Sequence, residues 1–159
     1  MRLRECIFIN RPIDDVFQLV SDYCNAPKWN PHVHAVEQLT DKALGLGSEY
    51  RQIREKDSQR LVVSAFDPPT RIGYETAPGS IPVFAMEFSL EPKDAGTMVS
   101  YSWDLGQVRR GFLARLLVRR LAREATSNLR RLKMLLEVGA VALQQDRVRG
   151  PSAPHRVRR

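Results

Sequence analysis

The sequence predicts an α+β fold: a curved antiparallel sheet of about seven strands wrapped around one long C-terminal helix, with two short helices after the first strand. Three observations predict it. Apolar residues alternate with a period of two in one N-terminal segment and in six more between residues 33 and 105. The links between those six are short and rich in Pro, Gly and Asp, which makes them hairpins and the sheet antiparallel. From about Phe112 to about Val138 the period is that of a helix.

The first strand is Leu3 to Asn10, with Leu3, Glu5, Ile7 and Ile9 on one side and Arg4, Cys6, Phe8 and Asn10 on the other. Pro12 opens a helix where its missing N–H costs nothing, and Asp14 and Asp15 suit the first turn, where the helix dipole favours carboxylates. Ile13, Val16, Phe17 and Val20 give that helix a buried stripe. The chain breaks around Asn25-Ala26-Pro27, and Lys28-Trp29-Asn30-Pro31 reads as a short helical turn ending at a proline. Strands follow at Val33 to Leu39, Glu49 to Glu55, Arg60 to Phe66, Arg71 to Thr76, Val83 to Leu90 and Met98 to Leu105. Gly45-Leu46-Gly47, Asp67-Pro68-Pro69, Pro78-Gly79 and Asp94-Ala95-Gly96 are turns between them. In the final helix Val118, Ala122, Ala125, Leu129, Leu132 and Leu136 step by four, three, four, three and four residues along one face. Beyond Gly139 the pattern fades, so residues 1–138 read as one ligand-binding domain and 139–159 as a basic, mobile tail.

A sheet with one apolar face must cover it, and the long helix is the only element able to do so. The sheet turns Tyr50, Tyr74, Phe84, Met86, Phe88, Tyr101 and Trp103 inward by alternation, and the helix offers Leu121, Ala122, Ala125 and Leu129. Large residues facing alanines mean either interdigitated packing or an apolar hollow of the kind small molecules occupy. Periodicity leaves both readings open.

Composition excludes other classes. A hydrophobic fraction of 43% argues against disorder, and 159 residues suit one domain. The most apolar stretch, Gly111 to Leu121, carries Arg115, Arg119 and Arg120, so no membrane span is expected. No signal-peptide pattern follows Met1, and a cytoplasmic location is the expectation. Cys6 and Cys24 form no CxxC pair and read as reduced, partly buried thiols. The net charge of +7 is concentrated: Arg147, Arg149, Arg156, Arg158 and Arg159 face only Asp146, and the final helix carries nine basic residues between Arg109 and Lys133 against Glu124 alone. We read this as a solvated helix face, with nucleic acid not expected as a partner and contact with an anionic membrane through the helix and tail left open.

The chemistry is sparse. Proton transfer to an enolising carbonyl would draw on Tyr50, Tyr74, Tyr101, His32, His34 or nearby arginines, and Tyr101, sharing the apolar face with Trp103, is the one weak catalytic candidate. A core aromatic that hydrogen-bonds a backbone carbonyl explains it better. His32 and His34 share a face, but no third ligand accompanies them, so neither a metal nor any cofactor is expected. Asp14 and Asp15 are explained by the helix start, and no Ser/His/Asp set, Walker loop or dinucleotide fingerprint is present. His155 lies in the tail.

Taken in order, Ile9-Asn10-Arg11-Pro12-Ile13-Asp14-Asp15-Val16-Phe17, Asp22, Ala26-Pro27-Lys28-Trp29-Asn30-Pro31, Val36-Glu37, Gly47-Ser48-Glu49-Tyr50, Asp67-Pro68-Pro69 and Asn128 to Glu137 are a pattern. Over residues 3–138 it resembles the START-like superfamily, also called helix-grip or SRPBCC, and within it the polyketide cyclase/dehydrase and lipid transport branch. The resemblance implies a helix-grip fold with a deep cavity between sheet and C-terminal helix that receives lipids, polyketides, sterols or other hydrophobic molecules. It adds Trp29 to the pocket residues. It does not choose between a binding protein for a hydrophobic small molecule and a cyclase/aromatase-type enzyme acting on one.

Overall fold

The computed structural model describes the backbone of residues 2–106 and 111–149, and their side chains except for residue 113 and residues 140–149. Strand β1 (Arg2–Ile9) leads into helix α1 (Ile13–Ser21), a 3₁₀ turn (Tyr23–Asn25) and helix α2 (Ala26–Trp29). Six strands follow: β2 (Ala35–Gln38), β3 (Glu49–Ile53), β4 (Ser58–Asp67), β5 (Arg71–Thr76), β6 (Ala85–Lys93) and β7 (Gly96–Asp104). Helix α3 (Phe112–Arg149) closes the fold.

The seven strands form one antiparallel sheet in the order β1-β7-β6-β5-β4-β3-β2. Each of β2 to β7 pairs with its neighbour in sequence, as the short turns require, and β1 completes the sheet against β7. Gly96 begins β7 where a Cβ would lie 2.4 Å from the Ile9 carbonyl oxygen, so only glycine lets the two strands meet there. A register shift in β4 between Val63 and Ala65 leaves both residues buried, and the candidate residues keep their faces.

Three expectations are corrected. Pro27 does not break the chain but sits in the first turn of α2, a position that needs no N–H, so the helix starts at Ala26 rather than Lys28. Helix α3 does not end near Val138 but continues to Arg149. The run Ala140-Val141-Ala142-Leu143-Gln144-Gln145 is mostly good helix former, and local preference carries the helix on after the core-facing stripe has ended. Of the anticipated tail, residues 150–159 lie outside the described residues, as do Arg109 and Arg110. Cys6 and Cys24 are free, as read, but exposed rather than partly buried.

The core lies between the concave face of the sheet, α1, α2 and the middle of α3. Helix α3 packs chiefly on β1 and α2. Its C-terminal half is fixed there: Lys133 Nζ donates to the Phe8 carbonyl at 2.6 Å, and Glu137 accepts from the Asn10 N–H at 2.9 Å.

Candidate functional site

Strand pairing decides which side chains meet inside the grip. Phe88 lies opposite Tyr101, Met86 opposite Trp103 and Tyr74 opposite Met86, so the inward residues of β5, β6 and β7 form rows across the sheet. The Phe88 and Tyr101 rings stack at 4.3 Å, and Phe84 stacks on Trp103 at 5.3 Å. Trp29, brought over the sheet by α2, stands edge-on to Phe88 at 5.6 Å and to Tyr101 at 6.4 Å. Tyr23, Tyr50 and Tyr74 form a second aromatic group, with Tyr23 and Tyr74 at 4.8 Å.

The anticipated pocket residues divide by burial into two layers. Trp29, Tyr50, Tyr74, Met86, Phe88, Tyr101, Ala125 and Leu129 are each at most 3% exposed. Phe84 is buried near the opening, while Trp103, Leu121 and Ala122 are half-buried. Of the whole set only Phe84, Trp103, Leu121 and Ala125 line the remaining void, whose volume is about 20 Å³. That is room for about one water molecule, far below the few hundred Å³ of a small-molecule site. Among the described residues the expected hollow is therefore filled: the aromatic side chains and Trp29 span the space that the alanines of α3 leave.

The tyrosine hydroxyls are occupied. Tyr74 donates to the Val20 and Ser21 carbonyls at 2.9 and 2.7 Å, fixing the end of α1. Tyr101 donates to Met86 Sδ at 3.5 Å. Burial pushes the Tyr101 pKa well above its ordinary value, with neighbouring Tyr23 adding to the rise and Trp103 opposing it. Tyr50 is pushed up to about 12, again chiefly by burial. These groups stay neutral, and Tyr74 and Tyr101 serve as hydrogen-bond donors, not bases.

Sequence reasoning missed the polar side of the site. The void is also lined by Tyr23, Asn30, His32, Gln52, Arg54, Glu124 and Asn128. Tyr23 donates to Gln52 Oε1 at 2.9 Å, and Gln52 Nε2 donates to Gln59 Oε1 at 2.7 Å. Gln52 and Gln59 are direct cross-strand partners, which places the two amides together. Gln59 Nε2 and Trp29 Nε1 are buried and have no hydrogen-bond partner among the described residues. At the opening Glu124 accepts from Arg120 at 3.1 Å and lies 3.9 Å from His32 Nε2. The signal for Gln52 was available: it stands two residues after Tyr50 and shares its inward face. His32 and His34 acquire no third partner, and no group of three or more metal-ligating side chains occurs among the described residues. Nor is any helix among them long and apolar enough to cross a membrane.

Residues 1–137 match the model of the family described as polyketide cyclase / dehydrase and lipid transport. No curated protein matches the sequence. Among solved structures, a Deinococcus radiodurans protein, DR_A0006, superposes with a TM-score of 0.68 at 21% identity, covering 87% of this chain and 99% of its own. The di-domain ARO/CYC BexL from the BE-7585A biosynthetic pathway gives 0.69 at 18% identity over 86% of this chain and 46% of its own. StfQ, the di-domain ARO/CYC of the steffimycin biosynthetic pathway, gives 0.69 at 18% over 88% and 51%. The chain thus spans about half of each di-domain protein, and at these identities the likeness shows the fold alone.

Proposed function

This chain belongs to the polyketide cyclase / dehydrase and lipid transport family, and from that premise we propose that it binds a hydrophobic small molecule, such as a lipid or polyketide, between sheet and helix. The observation that carries this reading is a set of buried donors without a hydrogen-bond partner among the described residues: Trp29 Nε1 and Trp103 Nε1 among the aromatic rings, and Gln59 Nε2 at the end of the amide relay. A buried donor without an acceptor costs about 1–3 kcal/mol, so donors of this kind gathered in one grip favour an acceptor brought in by a ligand. A ligand with an apolar body and an oxygen acceptor satisfies both wall and donors. Entry requires the outer layer to yield. Of the apolar residues lining the void, Trp103 and Leu121 are half-buried and so the nearest to solvent.

A second reading, a cyclase-type enzyme acting on a bound polyketide, is supported by the family description and by the ARO/CYC neighbours. In that reading Tyr101 is the proton donor within the grip. Binding without chemistry is the better supported of the two, because the Tyr101 hydroxyl is engaged with Met86 beneath packed rings.

Trp29 and Trp103 are the only tryptophans, and both belong to the grip, so intrinsic emission reports on it directly. Titration with decanol and with the aromatic ketone anthrone is expected to give a saturable emission change and to raise the melting temperature. At 100 times the dissociation constant the stabilisation is about 2.7 kcal/mol. Emission and melting temperature unmoved by either probe would overturn the reading.

The source of such a ligand is read from the start of α3. Phe112, Leu116 and Leu117 are exposed there, 76%, 47% and 43%, among exposed Arg115, Arg119 and Arg120. Apolar side chains interleaved with arginine on a helix surface suit the interface of an anionic bilayer.

A further inference from the structure

Outside the void lies a second recess of about 350 Å³, which shares His32 and Arg54 with it and reaches Gln59, Pro82, Arg120 and the turn between β3 and β4. Tyr50, Gln52 and Arg54 follow one another at two-residue spacing along one face, and burial falls along them from two buried side chains to a half-buried guanidinium. The inward face of β3 therefore leads from core to recess.

Two features of this recess are unspent. The hydrogen-bond relay from Tyr23 through Gln52 ends on Gln59, whose side chain is 4% exposed and whose amide nitrogen donates to nothing among the described residues. Arg54 makes no ion pair among the described residues, whereas Arg51, Arg60, Arg71 and Arg120 each have a carboxylate partner. The acidic groups nearby do not answer it. Glu55 and Asp57 are exposed on the turn, where water screens them, and Glu124 is engaged by Arg120 at 3.1 Å. Arg54 and Gln59 both line the recess, and a guanidinium together with an amide N–H is a donor set for two oxygens of one planar anion.

We propose that this recess is a carboxylate subsite, in which Arg54 and the free amide N–H of Gln59 receive the acid group of an amphipathic ligand whose apolar body enters the grip. The inference rests on the proposed function and names the ligand's polar end. The partners on the protein are both donors, so a ligand presenting an alcohol or an ammonium there gains less or nothing.

The test compares probes that differ only at that end. Decanoate and decanol, and 2-naphthoate and 2-naphthol, are titrated at pH 7.5 against the intact protein, with melting temperature and calorimetry as readouts. The acids are expected to bind about tenfold tighter than the alcohols, since a charge-assisted contact outweighs the lost apolarity of the carboxylate. Arg54→Gln is expected to abolish that preference by bringing the affinity of each acid down to or below that of its alcohol. Arg51→Gln removes the same charge from the outer face of the same strand and is expected to keep the preference. Equal binding of acids and alcohols, or a preference that survives Arg54→Gln, overturns the subsite and leaves hydrophobic binding standing. Binding of neither member of either pair overturns both.

Discussion

Tyr23, Tyr50, Tyr74 and Tyr101 are all the tyrosines in the chain, and each is at most 2% exposed. Burial holds the pKa of every one above the ordinary value of 10.0. The native state therefore keeps protons that the unfolded chain gives up, so stability is complete below about pH 10 and declines as pH rises above it. We expect the phenolate absorbance to stay flat past pH 10 and then to rise in one step together with the loss of near-ultraviolet circular dichroism. Independent titration of one or more tyrosines near pH 10 with the fold intact would show that these hydroxyls meet solvent. At this scale the sequence was half legible. Alternation placed Tyr50, Tyr74, Phe84, Met86, Phe88 and Tyr101 on the inward face, where they are found. It could not say that Tyr74 would spend its hydroxyl on α1, because that contact joins residues more than fifty positions apart. It passed over Gln52, Gln59 and Arg54, although Gln52 stands two residues from the inward Tyr50, Gln59 two from the inward Leu61, and Arg54 two beyond Gln52.

Helix α3 is held unevenly. Near its middle Leu129 and Leu132 are buried, and Lys133 and Glu137 bond to the end of β1. The Asn10 N–H and, after it, Lys133 keep the Glu137 carboxyl below the usual range, a sign that this contact favours the charged form. Toward its start the helix exposes Phe112, Leu116 and Leu117 and buries Ala114. The four-three stripe from Val118 to Leu136 was visible in the sequence, because only a continuous core contact produces it. The exposure of Leu116 and Leu117 was not, because a helical wheel does not record where the opposing sheet ends. If these first turns approach an anionic bilayer, the protein will sediment with phosphatidylserine-containing vesicles at low salt and not with phosphatidylcholine alone. Leu116→Glu combined with Leu117→Glu will abolish that binding without lowering thermal stability, since both side chains are already exposed. Sedimentation that ignores lipid charge, or survives the double substitution, contradicts this role for α3.

At the scale of the whole molecule, the order of elements determined the architecture: strand, short helices, meander and long helix leave one economical way to cover the sheet. What that order leaves undetermined is volume. A grip of this kind is either a container or a core, and the difference lies in whether a few aromatic side chains stand across it or swing aside. Here Trp29, Phe84 and Trp103 stand across it, leaving about 20 Å³. The proposed reading as a closed container rests on the indole N–H groups of Trp29 and Trp103, buried there with no hydrogen-bond partner among the described residues.

Native mass spectrometry of the full chain, fresh from purification and again after incubation with a total lipid extract, tests that distinction most directly. The account predicts an additional mass of one small molecule per chain that is lost on denaturation and extracts into organic solvent. A native mass equal to that of the polypeptide in both samples would contradict it and make the grip a packed core.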